Sequence, residues 1–308
     1  MGDNVYGDCN YSNCSALEQA YRDLAQHASY QAMIREIPIL ATLDDHDYGA
    51  SDADRFNPHK DKARSLFHEF FQLNPEDYAK RQGVYNSKEF FIDEGDNAVI
   101  QFILLDTRYS RDKFVGIGDN GQYIPDFNET QKNMLDDEQW LWLEEQLQRP
   151  AVLRILVSSI QALADGNDFE CWRMLPYERK RLISMLTGAN GGQTVIVSGD
   201  HHVGGIYKVD SENDGSREFI EITASSWTHT LPLGAYGSNC TTAEECDEVD
   251  ANRLYPLVRE NNFGSIEIDW NRRKATFAIR RTNTSPGYMH PAKLSDAGEI
   301  IQQIDVDL

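Results

Sequence analysis

The sequence has no apolar run of the roughly 18 residues that a membrane-spanning helix requires. Its longest such stretch, Ala151 to Ala164, is interrupted by Arg154, Ser158, Ser159 and Gln161. The residues after Met1 are polar and lack the basic and apolar regions of a signal peptide. We therefore expect no membrane span, and no export signal is recognisable within these 308 residues.

Basic residues are scarce, since 29 Lys and Arg stand against 50 Asp and Glu and give a formal charge of -21. A field of this sign repels nucleic acid and anionic lipid, so we expect neither as a bulk partner. It attracts cations instead. A solvated acidic surface explains most of this charge, and carboxylates grouped around metal ions are the alternative.

Cysteine is also scarce, with five residues in the chain. Cys9 and Cys14 are five apart, and Cys240 and Cys246 are six apart, both pairs in polar stretches. Two short-range disulfides with Cys171 left over would suit an exported protein, whereas five free thiols would suit a cytosolic one. The spacing alone leaves both interpretations open.

Two common catalytic motifs are absent, so the sequence gives little support for a P-loop nucleotide-binding enzyme or a serine hydrolase. There is no Gly-rich loop ending in Gly-Lys-Ser/Thr and no Gly-x-Ser-x-Gly elbow. Nucleotide cradling and serine hydrolysis therefore have no sequence basis. No internal repeat or linker-like stretch divides the chain either, so we expect a single domain over residues 1–308.

Apolar periodicity predicts strands and helices that alternate first and then give way to late strands. Predicted helices span Ser15 to Ile34, Asp61 to Phe71, Asp136 to Gln148 and Pro176 to Leu186. Predicted strands span Ile37 to Leu43, Gly83 to Ile92, Ala98 to Leu105, Val152 to Ser158, Thr194 to Ser198, Glu218 to Ala224, Gly264 to Trp270 and Lys274 to Arg280, with a turn at Glu94 to Asn97. This order predicts an α/β fold in which two mixed sheets pack together with helices outside.

Three acidic clusters stand at residues 2–8, 41–47 and 198–202. The second and third follow apolar strands, at the position where an α/β sheet binds ligands. Carboxylates bind hard cations, and the histidines of the last two clusters add affinity for transition metals. One such loop could be a solvated turn or a capping cluster. Three together predict a metal site.

Four short motifs occur in order along the chain: Gly2-Asp3-x-x-Tyr6, Asp44-Asp45-His46-Asp47, Leu105-Asp106-Thr107-Arg108 and Ser198-Gly199-Asp200-x-His202. Together they resemble the PhoD-like family of alkaline phosphatases and phosphodiesterases, which belongs to the calcineurin-like metallophosphoesterases. The resemblance implies a four-layer αββα fold with two packed mixed sheets and a two-metal centre at the strand ends.

The resemblance also implies a role for each matched residue. The implied metals are Fe³⁺ and Ca²⁺, with other divalent ions as alternatives. Asp3 would bridge both metals, Tyr6 and His202 would bind the ferric ion, and Asp45 and Asp200 would bind the second ion. Asp45 takes the position of the asparagine in the more general Gly-Asn-His motif.

Two further residues are implied in catalysis. The expected reaction is hydrolysis of small-molecule phosphate mono- or diesters by a hydroxide that two metals activate. His46 would contact the phosphate and stabilise its charge or protonate the leaving group. Arg108 would hold a phosphate oxygen, although pairing with an acid is an equal alternative. We expect His201 to face solvent or the site mouth, and His229 is a candidate for lining the pocket.

Related chains usually begin with a strand that carries a first metal ligand, followed by the apolar part of the strand before Gly2. Both are absent from this sequence, so we expect a truncated chain whose full-length form is exported to the periplasm or beyond. The alternative function is a catalytically inactive binding or structural remnant. A nuclease of the same superfamily is disfavoured by the net charge.

Overall fold

The structure is a computed structural model that describes residues 2–9, 13–92, 98–117, 121–128, 130–210, 217–234, 240–282 and 297–308. Its α-helices are α1 (Ser15–Gln26), α2 (Ala28–Glu36), α3 (Asp45–Tyr48), α4 (Lys60–Phe71), α5 (Pro75–Lys80), α6 (Asp137–Leu147), α7 (Pro176–Thr187) and α8 (Ala243–Cys246). Its strands are β1 (Asn86–Ile92), β2 (Ala98–Leu104), β3 (Val115–Ile117), β4 (Gln122–Ile124), β5 (Ala151–Val157), β6 (Gly191–Ser198), β7 (Gly204–Asp210), β8 (Glu218–Ala224), β9 (Asn262–Asp269), β10 (Lys274–Arg281) and β11 (Ile300–Asp307). A 3₁₀ turn spans Trp172–Met174. Within these ranges, no helix is long and apolar enough to cross a membrane.

A six-stranded sheet in the order β1-β2-β5-β6-β8-β7 forms the centre of the fold. Its four inner strands are parallel, and its two edge strands, β1 and β7, are antiparallel to their neighbours. Parallel strands need cover on both faces, which explains the nearly continuous burial of β5. A three-stranded antiparallel sheet has the order β11-β10-β9.

The large sheet has a different partner on each face. On one face Leu156 and Ile196 share a core cluster with Trp140 of α6 and Leu182 of α7. On the other face a second cluster joins the two sheets through Leu153, Ile155, Val195, Ile220, Phe277 and Ile279. The structure therefore confirms the expected α/β fold, in which two sheets pack together and helices lie outside.

The helix predicted over Ser15 to Ile34 is interrupted at His27, whose backbone is extended with φ -68° and ψ 121°. Phe70 of α4 explains the interruption, because it packs against a tyrosine from each helix. The centroid of its ring is 4.8 Å from that of Tyr21 in α1 and 5.7 Å from that of Tyr30 in α2. Nine residues of a straight helix rise about 13.5 Å, too far for both tyrosines to reach one ring. Tertiary packing thus overrides the local periodicity.

The buried strand predicted over Ile37 to Leu43 is wrong, because no residue of this segment is in a strand and only residues 41–43 are buried. The segment is extended but belongs to none of the assigned sheets, and Ile37 and Leu40 are 57% and 42% exposed. Ile39 and Leu40 border a groove of about 800 Å³, whose opposite wall includes Ile266 and Phe277. Among the described strands, none covers this apolar side, although Gly2 N donates to Thr42 O at 3.2 Å.

Other local predictions have mixed outcomes. The hairpin of β1 and β2 is confirmed, with Ile92 paired to Ala98, but its predicted turn lies outside the described residues. The Cys9–Cys14 and Cys240–Cys246 disulfides are both present. Cys171 is a buried free thiol whose pKa burial raises to about 12, so it stays protonated and inert at neutral pH.

One buried carboxylate anchors the chain that leaves β5. Glu221 of β8 is inaccessible to solvent and accepts hydrogen bonds from Ala162 N at 2.8 Å and Leu163 N at 2.6 Å. Burial raises the pKa of Glu221 above its ordinary value of 4.5. The folded state therefore holds this proton to a higher pH than the unfolded state does.

We predict that Glu221→Ala lowers the free energy of unfolding by about 3 kcal/mol, because two buried N–H groups lose their acceptor. Glu221→Gln keeps an acceptor oxygen, so its free energy of unfolding should fall by less. Since the folded-state pKa is raised, wild-type stability should fall relative to Glu221→Gln as pH rises above 4.5. Urea unfolding from pH 4 to pH 8 measures both effects, and a pH-independent difference between the two proteins would contradict the second.

Candidate metal centre

The three acidic clusters predicted from sequence meet at one site beside the carboxyl end of β6. Ligand atoms of Asp3, Asp45 and His46 lie within 4.8 Å of one another, as do those of Asp44, Asp45 and Asp200. Asp45 belongs to both sets. Asp45 and Asp200, which are predicted to bind the second ion, are therefore adjacent. Asp3 is adjacent to Asp45.

Asp47 joins the first two clusters. Its carboxylate accepts hydrogen bonds from Asp44 N at 3.1 Å, from Asn4 N at 3.1 Å and from Val5 N at 3.2 Å. These bonds place the segment that carries Asp3 against the start of α3. Asp47 is thus a structural acid within the motif, which its sequence position alone does not distinguish from a ligand.

The loops of the site contain unusual backbone conformations. Of the six described non-glycine residues with positive φ, four are at the site: Asp3 (41°), Asp52 (54°), Asp200 (66°) and His202 (56°). Such conformations cost about 1–3 kcal/mol each and persist where the surrounding structure enforces them. The backbone conformation is therefore strained at several positions of this site.

The residues predicted to hold a ferric ion also come together. Tyr6 Oη donates a hydrogen bond to Asp3 Oδ2 at 2.7 Å, and His202 Nε2 is 4.0 Å from the same oxygen. The Tyr6 ring lies 4.4 Å from the ring of His46 and 5.2 Å from that of His229. His229 is exposed and lines the cavity at this point, as expected.

Arg108 is fully buried and bound to acids. It donates to Asp44 and Glu170, and its Nη2 lies 3.7 Å from Asp200 Oδ1. Arg108 was predicted either to hold a phosphate oxygen or to pair with an acid, and its contacts match the second role. Arg111 binds the same glutamate, with Nη2 2.6 Å from Glu170 Oε1. Sequence reasoning missed Glu170, because no motif surrounds it.

Packing so many acids together shifts their protonation. Burial, and then the charges of Asp45 and Asp44, raise the pKa of Asp3 to about 9. Burial and the same two neighbours raise the pKa of Asp200 well above its ordinary value. Burial also disfavours the charged form of Asp45, but Arg108 and His46 hold its pKa below the ordinary value. Where metal cations are absent, bound protons and the positive charge of Arg108 therefore offset the negative charge of these carboxylates.

The donor set fits the two expected metals. Asp3 Oδ1 and Asp44 Oδ2 are buried acceptors without a hydrogen-bond partner in the described structure. Buried carboxylate oxygens of this kind are costly unless something positive reaches them. Several carboxylates suit Ca²⁺, while a phenol and an imidazole beside a shared carboxylate suit ferric iron.

Two histidines at the site have carboxylate partners that the sequence did not indicate. His46 Nδ1 is 2.7 Å from Asp8 Oδ1, which fixes the ring. His201 was expected to face solvent or the site mouth, but it is buried, and its Nε2 lies 2.8 Å from Glu248 Oε1. In both pairs the partners are about 40 residues apart or more, so local spacing carries no signal for them.

We predict that Asp200→Asn removes at least half of the thermal stabilisation by calcium while leaving the metal-free protein at least as stable as wild type. Wild type should gain about 2.7 kcal/mol at calcium 100 times its Kd, and tenfold weaker binding would halve this gain. Repulsion within the cluster falls when one charge is removed, which protects the metal-free fold.

Thermal unfolding in chelator and in calcium measures both effects. Asp307→Asn is the matched control, because Asp307 is an exposed acid at the end of β11, outside the cluster. A wild-type calcium shift in Asp200→Asn would exclude Asp200 as a ligand.

Comparison with known proteins agrees with the observed fold. A sequence model described as PhoD-like phosphatase matches residues 13–279. The solved structure titled "Structure of PhoD" is similar in fold, with a TM-score of 0.67 at 17% identity, over 100% of this chain and 63% of that one. The present chain thus spans less than two thirds of that structure, and the search of curated proteins gives no significant match. The extent of the family match establishes that the chain belongs to the PhoD-like phosphatases.

Proposed function

We propose that this protein is a metal-dependent hydrolase of small-molecule phosphate mono- or diesters. The observation that carries the proposal is the convergence of Asp3, Asp45 and Asp200 beside a solvent-accessible cavity, with unpartnered carboxylate oxygens directed into the cluster. Family membership supports the same reaction class. The substrate is an anion, so the strongly acidic chain needs cations to receive it.

We propose Fe³⁺ bound by Asp3, Tyr6 and His202, and Ca²⁺ bound by Asp3, Asp45 and Asp200. The support is the short distance from Tyr6 to Asp3 on one side and the carboxylate group around Asp45 on the other. When bound, two such cations supply Lewis-acid charge that lowers the pKa of water and offsets the charge of the phosphate.

The chain's own residues would orient the substrate and move a proton. His46, held by Asp8, is exposed enough to contact a phosphate oxygen or to protonate the leaving oxygen. Arg108 has no exposed surface, so we assign it the positioning of Asp44 and Glu170 rather than direct contact with phosphate. This assignment replaces the catalytic role expected from its place after β2.

We propose further that the protein acts outside the cytosol. The support is the pair of disulfides, since such bonds form and persist in oxidising compartments.

The alternative function is an inactive remnant of the same fold. The two functions differ in the metal content that they predict. A chromogenic phosphodiester assay combined with metal analysis separates them, because the remnant would bind no metal and turn over no substrate.

We predict that the iron-loaded protein is coloured and that Tyr6→Phe removes the visible band. A phenol has a pKa near 10, so only a strong Lewis acid holds it as tyrosinate at neutral pH. Tyr30→Phe is the matched control, because Tyr30 lines the same groove. Absorption spectra with iron analysis test this, and an iron-loaded Tyr6→Phe protein with an unchanged band would refute the assignment.

We predict that His46→Ala lowers kcat for a chromogenic phosphodiester by about 10²–10⁴-fold, the usual contribution of a positioned acid. Asp8→Asn should lower it less, by about tenfold, because the ring loses orientation but keeps its nitrogen atoms. His27→Gln, at the junction of α1 and α2, is the control. Steady-state kinetics decide the matter, and full activity in His46→Ala would exclude the role.

A further inference from the structure

The two disulfides lie next to two different loops of the metal centre. Cys9 directly follows Asp8, the partner of His46. Its backbone N–H also donates to Gly49 O at 2.7 Å. Gly49 ends α3 with φ 105°, and an added Cβ there would lie 2.7 Å from Cys9 Sγ. The first disulfide therefore packs directly against the turn that carries Asp45 and His46.

The second disulfide precedes two acids, of which Glu248 binds the loop after β6 and Asp247 binds a neighbouring segment. Cys246 is followed by Asp247, which accepts from Leu257 N at 2.9 Å and from Arg259 Nε at 3.0 Å. The next residue is Glu248, whose Oε1 lies 2.8 Å from His201 Nε2. His201 stands between the proposed ligands Asp200 and His202, so its ring position affects both.

A second connection runs through Arg259 to the same loop. Its guanidinium donates to Cys246 O at 3.2 Å and to Leu231 O at 3.4 Å. Leu231 N in turn donates to His202 O at 2.9 Å. The disulfide is thus connected to the Asp200-His201-His202 loop by two routes: through Glu248, two residues after Cys246, and through Arg259 and the backbone of Leu231.

We propose that each disulfide is a positioning element of one metal-binding loop: Cys9–Cys14 holds Asp8 against His46, and Cys240–Cys246 holds Glu248 against His201. The disulfides close loops with sequence separations of only five and six residues. Loops this short restrict the unfolded chain less than long ones do, so each disulfide contributes less to global stability than a long-range disulfide would. Their contacts with the site give them a local role instead.

Hydrogen exchange of the metal-free protein tests the proposal without reference to metal or activity. In Cys240→Ser/Cys246→Ser, amide exchange over residues 198–204 should rise about tenfold while residues 43–50 stay at the wild-type rate. In Cys9→Ser/Cys14→Ser the pattern should reverse. Each double variant is thereby the control for the other. Equal rates in both variants, or a uniform rise over the whole chain, would overturn the proposal.

Two single substitutions keep both disulfides and test the same connections. Glu248→Ala should loosen residues 198–204, and Asp8→Ala should loosen residues 43–50, each without affecting the other loop. Failure of either pattern would count against the proposal even if the cysteine variants do not fold.

Calcium affinity by titration calorimetry gives the functional readout, which rests on the proposed function. Loss of an outer-shell partner weakens metal binding about tenfold or more, so Glu248→Ala should do so. If wild type binds no calcium or iron, the proposed function fails, while the exchange data still decide the role of the disulfides. Wild-type calcium affinity in Glu248→Ala would overturn that role.

Discussion

The buried guanidinium of Arg108 is the interaction on which the site depends. A buried cation is tolerated only when acids pair with it, and buried acids need the same compensation. Arg108 meets both needs by binding Asp44 and Glu170 and by lying 3.7 Å from Asp200. It thus connects the segment after β2 to two loops of the metal centre. Without this charge, the repulsion among carboxylates whose oxygens lie within 4.8 Å of one another would increase.

The parallel sheet explains why Arg108 meets those acids. Strands β2, β5 and β6 are parallel neighbours, so their carboxyl ends reach one edge of the sheet. Arg108 follows the end of β2, Ser159 follows β5 and Asp200 follows β6. Ser159 Oγ donates to Asp44 Oδ1 at 2.7 Å and lies 2.6 Å from Thr107 Oγ1. Ser159 thereby orients the carboxylate of Asp44.

Sequence reasoning predicts this edge well because strand ends and acidic clusters are local features. It fails where a distant residue decides the structure. The break at His27 depends on Phe70, and the partners Asp8, Glu170 and Glu248 come from loops without periodicity. Strands β7 and β11 were also missed. In β7 the opening Gly204 and Gly205 weaken the strand pattern, although Gly205 is needed where the Tyr207 ring lies close to its backbone.

Buried acids with the same composition differ in their hydrogen bonds. Asp47, Asp106 and Glu221 each accept two or more backbone N–H groups, so their charge holds chain segments together. Asp3 and Asp44 each keep an oxygen that is buried and unpartnered. A carboxylate that stabilises the fold has no reason to leave an oxygen in this state, because the desolvation cost is then uncompensated. Together with the family match, these unpartnered oxygens support the metal centre proposed above.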